Sequence, residues 1–266
     1  MGDFLACFRQ QLVFGKIPTQ LNDDLLYRIG RSIAQTMTTN LVVIGRDTRP
    51  TSESLSHSAS RGVMDAGCHI INIGVASPDE LAFAIRTLGA DAAILIGAEE
   101  QAHDINGLHV MLGNGQFLTD ESVWQNIEYL AAIQNFNKCS KPGGNRRTSV
   151  RQQWLDELLN TSSRSIQPLR LHCLGEHSVI QHQLADLAPR LNLQLSNSSQ
   201  TDLADWQQGI MPALPDNADL IITCNAYHQG FTQIDHNGTI INSQPAGLAA
   251  LLSLIQNCDN GLQQLA

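Results

Sequence analysis

Apolar side chains recur at Leu25, Leu26, Ile29, Ile33 and Met37, the three-to-four spacing of one helix face, with Asn22 placed to cap it, so a helix is expected over 22–38. The run from Leu41 to Ile44, closed by Gly45, has the unbroken apolar character of a strand buried on both faces. Leu55, Ala59, Val63 and Met64 predict a helix over 52–66, and His69 to Ile73 a second strand. Pro78 suits the first turn of a third helix, where its missing N–H costs nothing, and Ala92 to Ile96 is a third strand. Gly107 to Leu112 alternates like a strand, with Asn106–Gly107 read as a turn that aims it and Asn114–Gly115 as a hairpin-type turn after it. Up to residue 134 the pattern predicts helices covering a mainly parallel sheet.

Residues 137–149, NKCSKPGGNRRTS, interrupt this alternation with Pro142, Gly143, Gly144 and several polar side chains, and are expected to form a flexible connection. A helix bearing Val150, Trp154, Leu155, Leu158 and Leu159 follows, ending in a Ser/Thr cluster. From Leu169 the alternation restarts, with strands expected at 169–174, 191–196 and 219–223 and helices at 178–190 and 202–208. Phe231 to Ile241 reads as a hairpin about His236–Asn237–Gly238, and Pro245 to Ile255 as a last helix. Two consecutive α/β domains are expected, 1–148 and 149–266, with the boundary somewhere within 137–166.

Composition narrows the classes of function. The chain has 266 residues, 42% of them hydrophobic and 15% charged, with 16 basic against 25 acidic side chains and a net charge of −9. That balance disfavours a nucleic-acid binder, whose affinity rests on clustered Lys and Arg meeting phosphates. No run of about 18 apolar residues is present, and the N-terminus lacks the pattern of a secretory signal, so a cytoplasmic protein with no membrane partner is expected. The cysteines Cys7, Cys68, Cys139, Cys173, Cys224 and Cys258 are scattered without a C-x-x-C pair. Cys68–His69 and His172–Cys173 each sit at the edge of a strand-like run, where adjacent side chains point to opposite faces, so convergent metal ligation is not expected.

Several segments resemble the α-D-phosphohexomutases, the phosphomannomutase/phosphoglucomutase family. LLYRIGRSIA (25–34) is similar to the family's first helix, and VVIGRDTRPTSESL (42–55) to its G-R-D-x-R strand end. Residues 61–98 resemble the segment leading to the family's active-site strand, and DINGLHV (104–110) its Y-N-G-x-K stretch. ADLIITC (218–224) and IDHNGTII (234–241) resemble the strand and hairpin around its metal loop. The resemblance implies an α/β fold of two consecutive domains like phosphohexomutase domains 1 and 2, each a mixed sheet layered between helices. It also implies that the family's third and fourth domains are absent.

The residues that carry the family's chemistry differ. The resemblance places Gly97, Ala98, Glu99, Glu100, Gln101 and Ala102 on the family's phosphoserine loop (97–103 here), with Glu99 at the serine position. It places Asn225, Ala226, Tyr227, His228, Gln229 and Gly230 on the metal loop (224–230), with Asn225, Tyr227 and Gln229 where three carboxylates hold Mg²⁺. FRQQLVFG (8–15) is similar to the family's F-R-x-Y-D-I-R-G, with Phe14 at its second arginine, and His109 stands at a lysine position. Mg²⁺ demands oxygen donors in near-octahedral order, usually with carboxylates, so no metal cofactor is expected. Two glutamates where a phosphate would sit repel it, and no catalytic residue is expected.

Arg9, Arg46, Arg49 and His109 remain as anion or ligand-binding candidates, although Arg46, Asp47 and Arg49 equally suit a structural ion pair. Glu99 either imitates the phosphoserine's charge or is a solvated loop acid. The expected function is a non-catalytic relative of phosphohexomutases acting as a binding, scaffold or oligomerisation module, with a homodimer or a protein partner. Family context implies bacterial polysaccharide or sugar-phosphate metabolism. The alternatives are a sugar-phosphate-binding regulatory protein using the old cleft, and a residual mutase completed by a partner chain.

Overall fold

In the computed structural model, which describes residues 5–9, 11–98, 101–160, 168–175, 178–199, 205–210, 212–223 and 231–263, the first helix starts at the cap read from sequence. The Asn22 side chain accepts from the Leu25 N–H at 3.0 Å, and α1 runs Asp23–Met37 until Thr38 turns left-handed and ends it. The chain separates into two compact units, residues 1–150 and 151–266.

The first unit contains β1 (Phe8–Arg9), β2 (Leu12–Lys16), α1, β3 (Leu41–Arg46), α2 (Ser52–Asp65), β4 (His69–Val75), α3 (Pro78–Leu88), β5 (Ala92–Ile96), β6 (Ile105–Leu112), α4 (Glu121–Ile133) and β7 (Asn145–Arg147). Its seven-stranded sheet has the order β1-β2-β6-β5-β3-β4-β7. Pairings among β5, β3, β4 and β7 are parallel, while β1–β2, β2–β6 and β6–β5 are antiparallel. The sheet is therefore mixed and not mainly parallel, because β6 and β1 run opposite to the other strands and make every pairing on that side antiparallel. On one face, Ile29 and Ile33 of α1, Leu55 and Val63 of α2, and Trp124 and Ile127 of α4 enclose Val42, Ile44, Ile94 and Leu108. Burying each such side chain contributes roughly 1.5–3 kcal/mol before entropy is counted. The Trp124 indole satisfies its one donor on the Leu118 carbonyl at 3.0 Å, so its burial leaves no polar atom stranded. Cys7 lies in this core, and loss of solvent pushes its thiol up to about 11.

Two expectations fail here. Asn106–Gly107 is no turn: both residues lie inside β6, and Asn106 is fully buried. The segment 137–149 is no free connection: the Gly144 carbonyl accepts from Ile70 N–H at 2.8 Å, the Thr148 N–H donates to Asn72 at 3.0 Å, and β7 between them extends the sheet. Close approach of Gly143 to β4 explains its small residue, since a Cβ there would stand 1.8 Å from the Cys68 carbonyl oxygen.

The second unit contains α5 (Arg151–Asn160), β8 (Leu169–Leu174), α6 (Val179–Leu191), β9 (Leu193–Ser198), β10 (Leu220–Thr223), β11 (Phe231–Ile234), β12 (Ile240–Ala246) and α7 (Leu248–Gln263). Its five-stranded sheet, β12-β11-β10-β8-β9, is parallel from β9 to β10 and antiparallel beyond. Ser178 and Gln181 form a reciprocal capping box at the start of α6. Arg170 grips Asp219 with two guanidinium nitrogens at 2.9 and 3.0 Å, holding that carboxyl below the usual range and tying β8 to the start of β10. Pro245 does not open the last helix. It lies in β12 at the sheet edge, where a missing N–H is tolerated, and α7 starts at Leu248. Of the helix expected over 202–208, residues 202–204 lie outside the described residues.

Candidate functional site

The carboxyl ends of β3 and β5 and the start of β6 converge on one loop cluster. Asp47 follows β3, and its N–H donates to the Ile96 carbonyl at 2.8 Å, locking the ends of β3 and β5 together. The Asp47 carboxylate then accepts from the Arg49 N–H at 3.0 Å and from Ser52 Oγ, and pairs with the Arg49 guanidinium. Both side chains of this ion pair are 0% exposed. Arg49 continues to the Gln101 carbonyl at 2.8 Å, so the pair fastens the loop that leaves β5. Gly97 starts that loop against the same carboxylate, and a Cβ there would fall 2.7 Å from Asp47 Oδ2. Asn106 completes the cluster, donating to Thr51 Oγ1 at 2.8 Å and Ser52 Oγ at 2.9 Å.

Beside this cluster lies a cleft of about 150 Å³ lined by Leu12, Val13, Phe14, Gly97, Ala98, Gln101 and His109. His109 is nearly buried, and its ring meets Phe117 at 5.5 Å between centroids, tilted by 56°. The four cationic or imidazole side chains singled out in the sequence are thus only partly assembled. His109 lines the cleft, whereas Arg49 lies behind the loop, committed to Asp47 and Gln101. Arg46 donates to the Asp47 carbonyl at 3.1 Å and reaches Glu53 at 3.4 Å. Arg9 is exposed on the edge strand β1 and is not among the residues that line the cleft. Glu99 and Glu100 lie outside the described residues, as do Asn225, Tyr227, His228 and Gln229.

Motif reading passes over Leu12, and it takes Phe14 and Gln101 only as family positions and Asn106 only as part of a turn, whereas the first three line the cleft and Asn106 holds the loop cluster. Asn106 had a signal, since a polar residue amid Ile105, Leu108 and Val110 on a strand must find partners when buried. Among the described residues that line the cleft, His109 alone carries an ionisable side chain. No group of three or more His, Cys, Asp or Glu side chains comes together among the described residues. The segment 224–230, Cys-Asn-Ala-Tyr-His-Gln-Gly, lies outside the described residues and contains no carboxylate, the donor that Mg²⁺ sites usually include.

Comparison with known proteins agrees with this architecture. The family model for phosphoglucomutase/phosphomannomutase, alpha/beta/alpha domain I, matches residues 7–137. A phosphomannomutase of Klebsiella pneumoniae is 32% identical over 154 residues, covering 57% of this chain and 98% of that protein. The phosphomannomutase of Vibrio cholerae is 29% identical over 192 residues, which are 70% of this chain and 42% of the relative. A phosphoglucomutase/phosphomannomutase family protein from Burkholderia thailandensis shares the fold with a TM-score of 0.73 at 18% identity, over 88% of this chain and 56% of that one. The chain belongs to the phosphoglucomutase/phosphomannomutase family. It spans less than half the length of the Vibrio cholerae relative and 34% of an Escherichia coli phosphomannomutase. No helix among the described residues is long and apolar enough to cross a membrane.

Proposed function

We propose that this chain is a non-catalytic phosphohexomutase relative, in which the domain I scaffold serves as a binding or assembly module. The observation that carries this reading is Glu99 at the family's serine position, where the phosphoryl carrier of the family would stand. The Asp47–Arg49 pair is internal, bound to the Gln101 carbonyl, and the cleft beside it is lined by Leu12, Val13, Phe14, Gly97, Ala98, Gln101 and His109. A phosphoryl group seated there would meet His109 as the one ionisable side chain among the described lining residues, and desolvating a charge without adequate partners is costly. The carboxylate-free segment 224–230 supports the same reading from sequence. The reading extends to cofactors and partners: no Mg²⁺, and a homodimer or protein partner in place of a sugar phosphate.

Calorimetric titration with mannose 1-phosphate, glucose 1-phosphate and glucose 1,6-bisphosphate, with and without Mg²⁺, separates this from a sugar-phosphate sensor. Flat traces are expected. Saturable heat with a Kd below about 1 mM, roughly −4 kcal/mol, would overturn the proposal in favour of a regulatory anion site.

A further inference from the structure

The edge strand β7 and its flanks form a surface that neither the cleft nor the fold explains. From Tyr129 to Val150 the chain has no acidic residue, yet it carries Lys138, Lys141, Arg146 and Arg147, in a protein whose net charge is −9. Lys138, Lys141, Arg146 and Arg147 are all exposed. Carboxylates on adjoining elements are engaged elsewhere: Asp65 accepts from Tyr27 Oη at 2.8 Å, and Asp91 accepts from the Asn40 and Leu41 N–H groups at 2.7 and 2.9 Å. A groove of about 310 Å³ runs beside this strand, lined by Leu41, His69, Ile70, Ile71, Gly144, Asn145 and Arg146. Register puts Arg146 opposite Ile71, so this cation stands on the same sheet face as the groove's apolar floor.

The backbone of β7 is directional. The Gly144 carbonyl and Thr148 N–H face β4, and strand alternation then turns the backbone groups of Asn145 and Arg147 outward, away from the ladder. Within this unit an open strand edge, an apolar groove and the exposed cations Lys138, Lys141, Arg146 and Arg147 therefore coincide. Exposed edges are commonly blunted by charge, but here the charge has one sign, which rejects a basic strand and selects an acidic one.

We propose that the β7 edge docks an extended acidic segment of a partner protein, which adds as a further strand while its carboxylates meet Lys138, Lys141, Arg146 and Arg147 and an apolar side chain enters the groove. This surface lies apart from the residues that line the cleft and stands whether or not the cleft turns over a substrate, so its failure and that of the function proposed above are distinguishable.

The test uses the full chain and a fluorescein-labelled peptide alternating Asp or Glu with Val or Ile, read by anisotropy. Saturable binding is expected, weakened about tenfold or more by the double change Arg146→Glu, Arg147→Glu, and weakened by salt above about 0.1 M. Asn145→Pro keeps every cation and removes only an outward N–H, so it is expected to weaken binding several-fold, which bare charge attraction would not reproduce. Circular dichroism and melting of each variant establish that it is folded. Four results would each overturn the proposal: no saturable binding by the folded wild type, equal affinity in the charge-reversed variant, unchanged affinity in Asn145→Pro, or tighter binding of an oligonucleotide of matched charge. A dimer that the peptide fails to dissociate and the charge reversal does dissociate would assign the edge to a second copy of the chain, and would equally overturn it.

Discussion

Asp47→Ala is expected to destabilise the first unit by about 3–5 kcal/mol, because it leaves the Arg49 guanidinium in a solvent-free site without its counter-charge. The loss has a second component, since the same carboxylate accepts from the Arg49 N–H and from Ser52 Oγ, and both donors would be left without it. Denaturant unfolding of the full chain measures the total, and hydrogen exchange at β3 and β5 assigns it to this unit. Substituting both members of the pair, Asp47→Ala with Arg49→Met, is expected to cost less than the single change, because no charge is then buried. A loss under about 1 kcal/mol for Asp47→Ala would mean that Arg49 finds water or another anion, and would contradict a buried pair at this position.

Gly62→Ala is expected to cost about 3 kcal/mol, at the upper end of what overpacking does. A Cβ at this position would lie 1.9 Å from the Tyr27 carbonyl oxygen and 2.8 Å from the Arg31 nitrogen. Gly30 meets α2 in the same way, its added Cβ falling 2.3 Å from the Ala59 oxygen. These obstacles are backbone, which no rotamer change removes, so α1 and α2 would have to move apart and open the core they share. In an isolated helix the same substitution stabilises by about 1 kcal/mol, so the predicted sign is opposite to that of helix propensity. Thermal or denaturant unfolding of Gly62→Ala decides it: a variant as stable as the parent, or more so, would contradict the close crossing.

Elements whose local chemistry and burial pattern agree were legible from sequence. Asn22 caps α1, Pro78 opens α3, and the apolar runs of β3 and β5 lie in the middle of the sheet, as their lack of alternation implies. The strands that escaped notice owe their conformation to neighbours. Nothing in Asn145–Arg146–Arg147 favours a strand, which forms because β4 has edge groups to satisfy. Pro245 signals a helix start and an edge strand equally well, and only the pairing of β11 with β12 distinguishes them.

The site was less legible than the fold for a related reason. The spacing of Asp47 and Arg49 is compatible both with an anion grip and with an internal pair, and burial decides between them. That His109 meets Phe117, eight residues on, follows from the return of the chain after β6, where Met111 bridges to Phe117. Likewise, the apolar wall of the cleft comes from β2, because β2 pairs with β6.

Phosphoryl-group transfer by the purified chain tests the central claim most directly. With mannose 1-phosphate, catalytic glucose 1,6-bisphosphate and Mg²⁺, formation of the 6-phosphate followed by phosphorus NMR is predicted to stay at the level of a Glu99→Ala control. Saturable turnover that the Glu99→Ala change abolishes would contradict the account. It would make Glu99 the phosphoryl carrier and return the chain to the enzymes of its family.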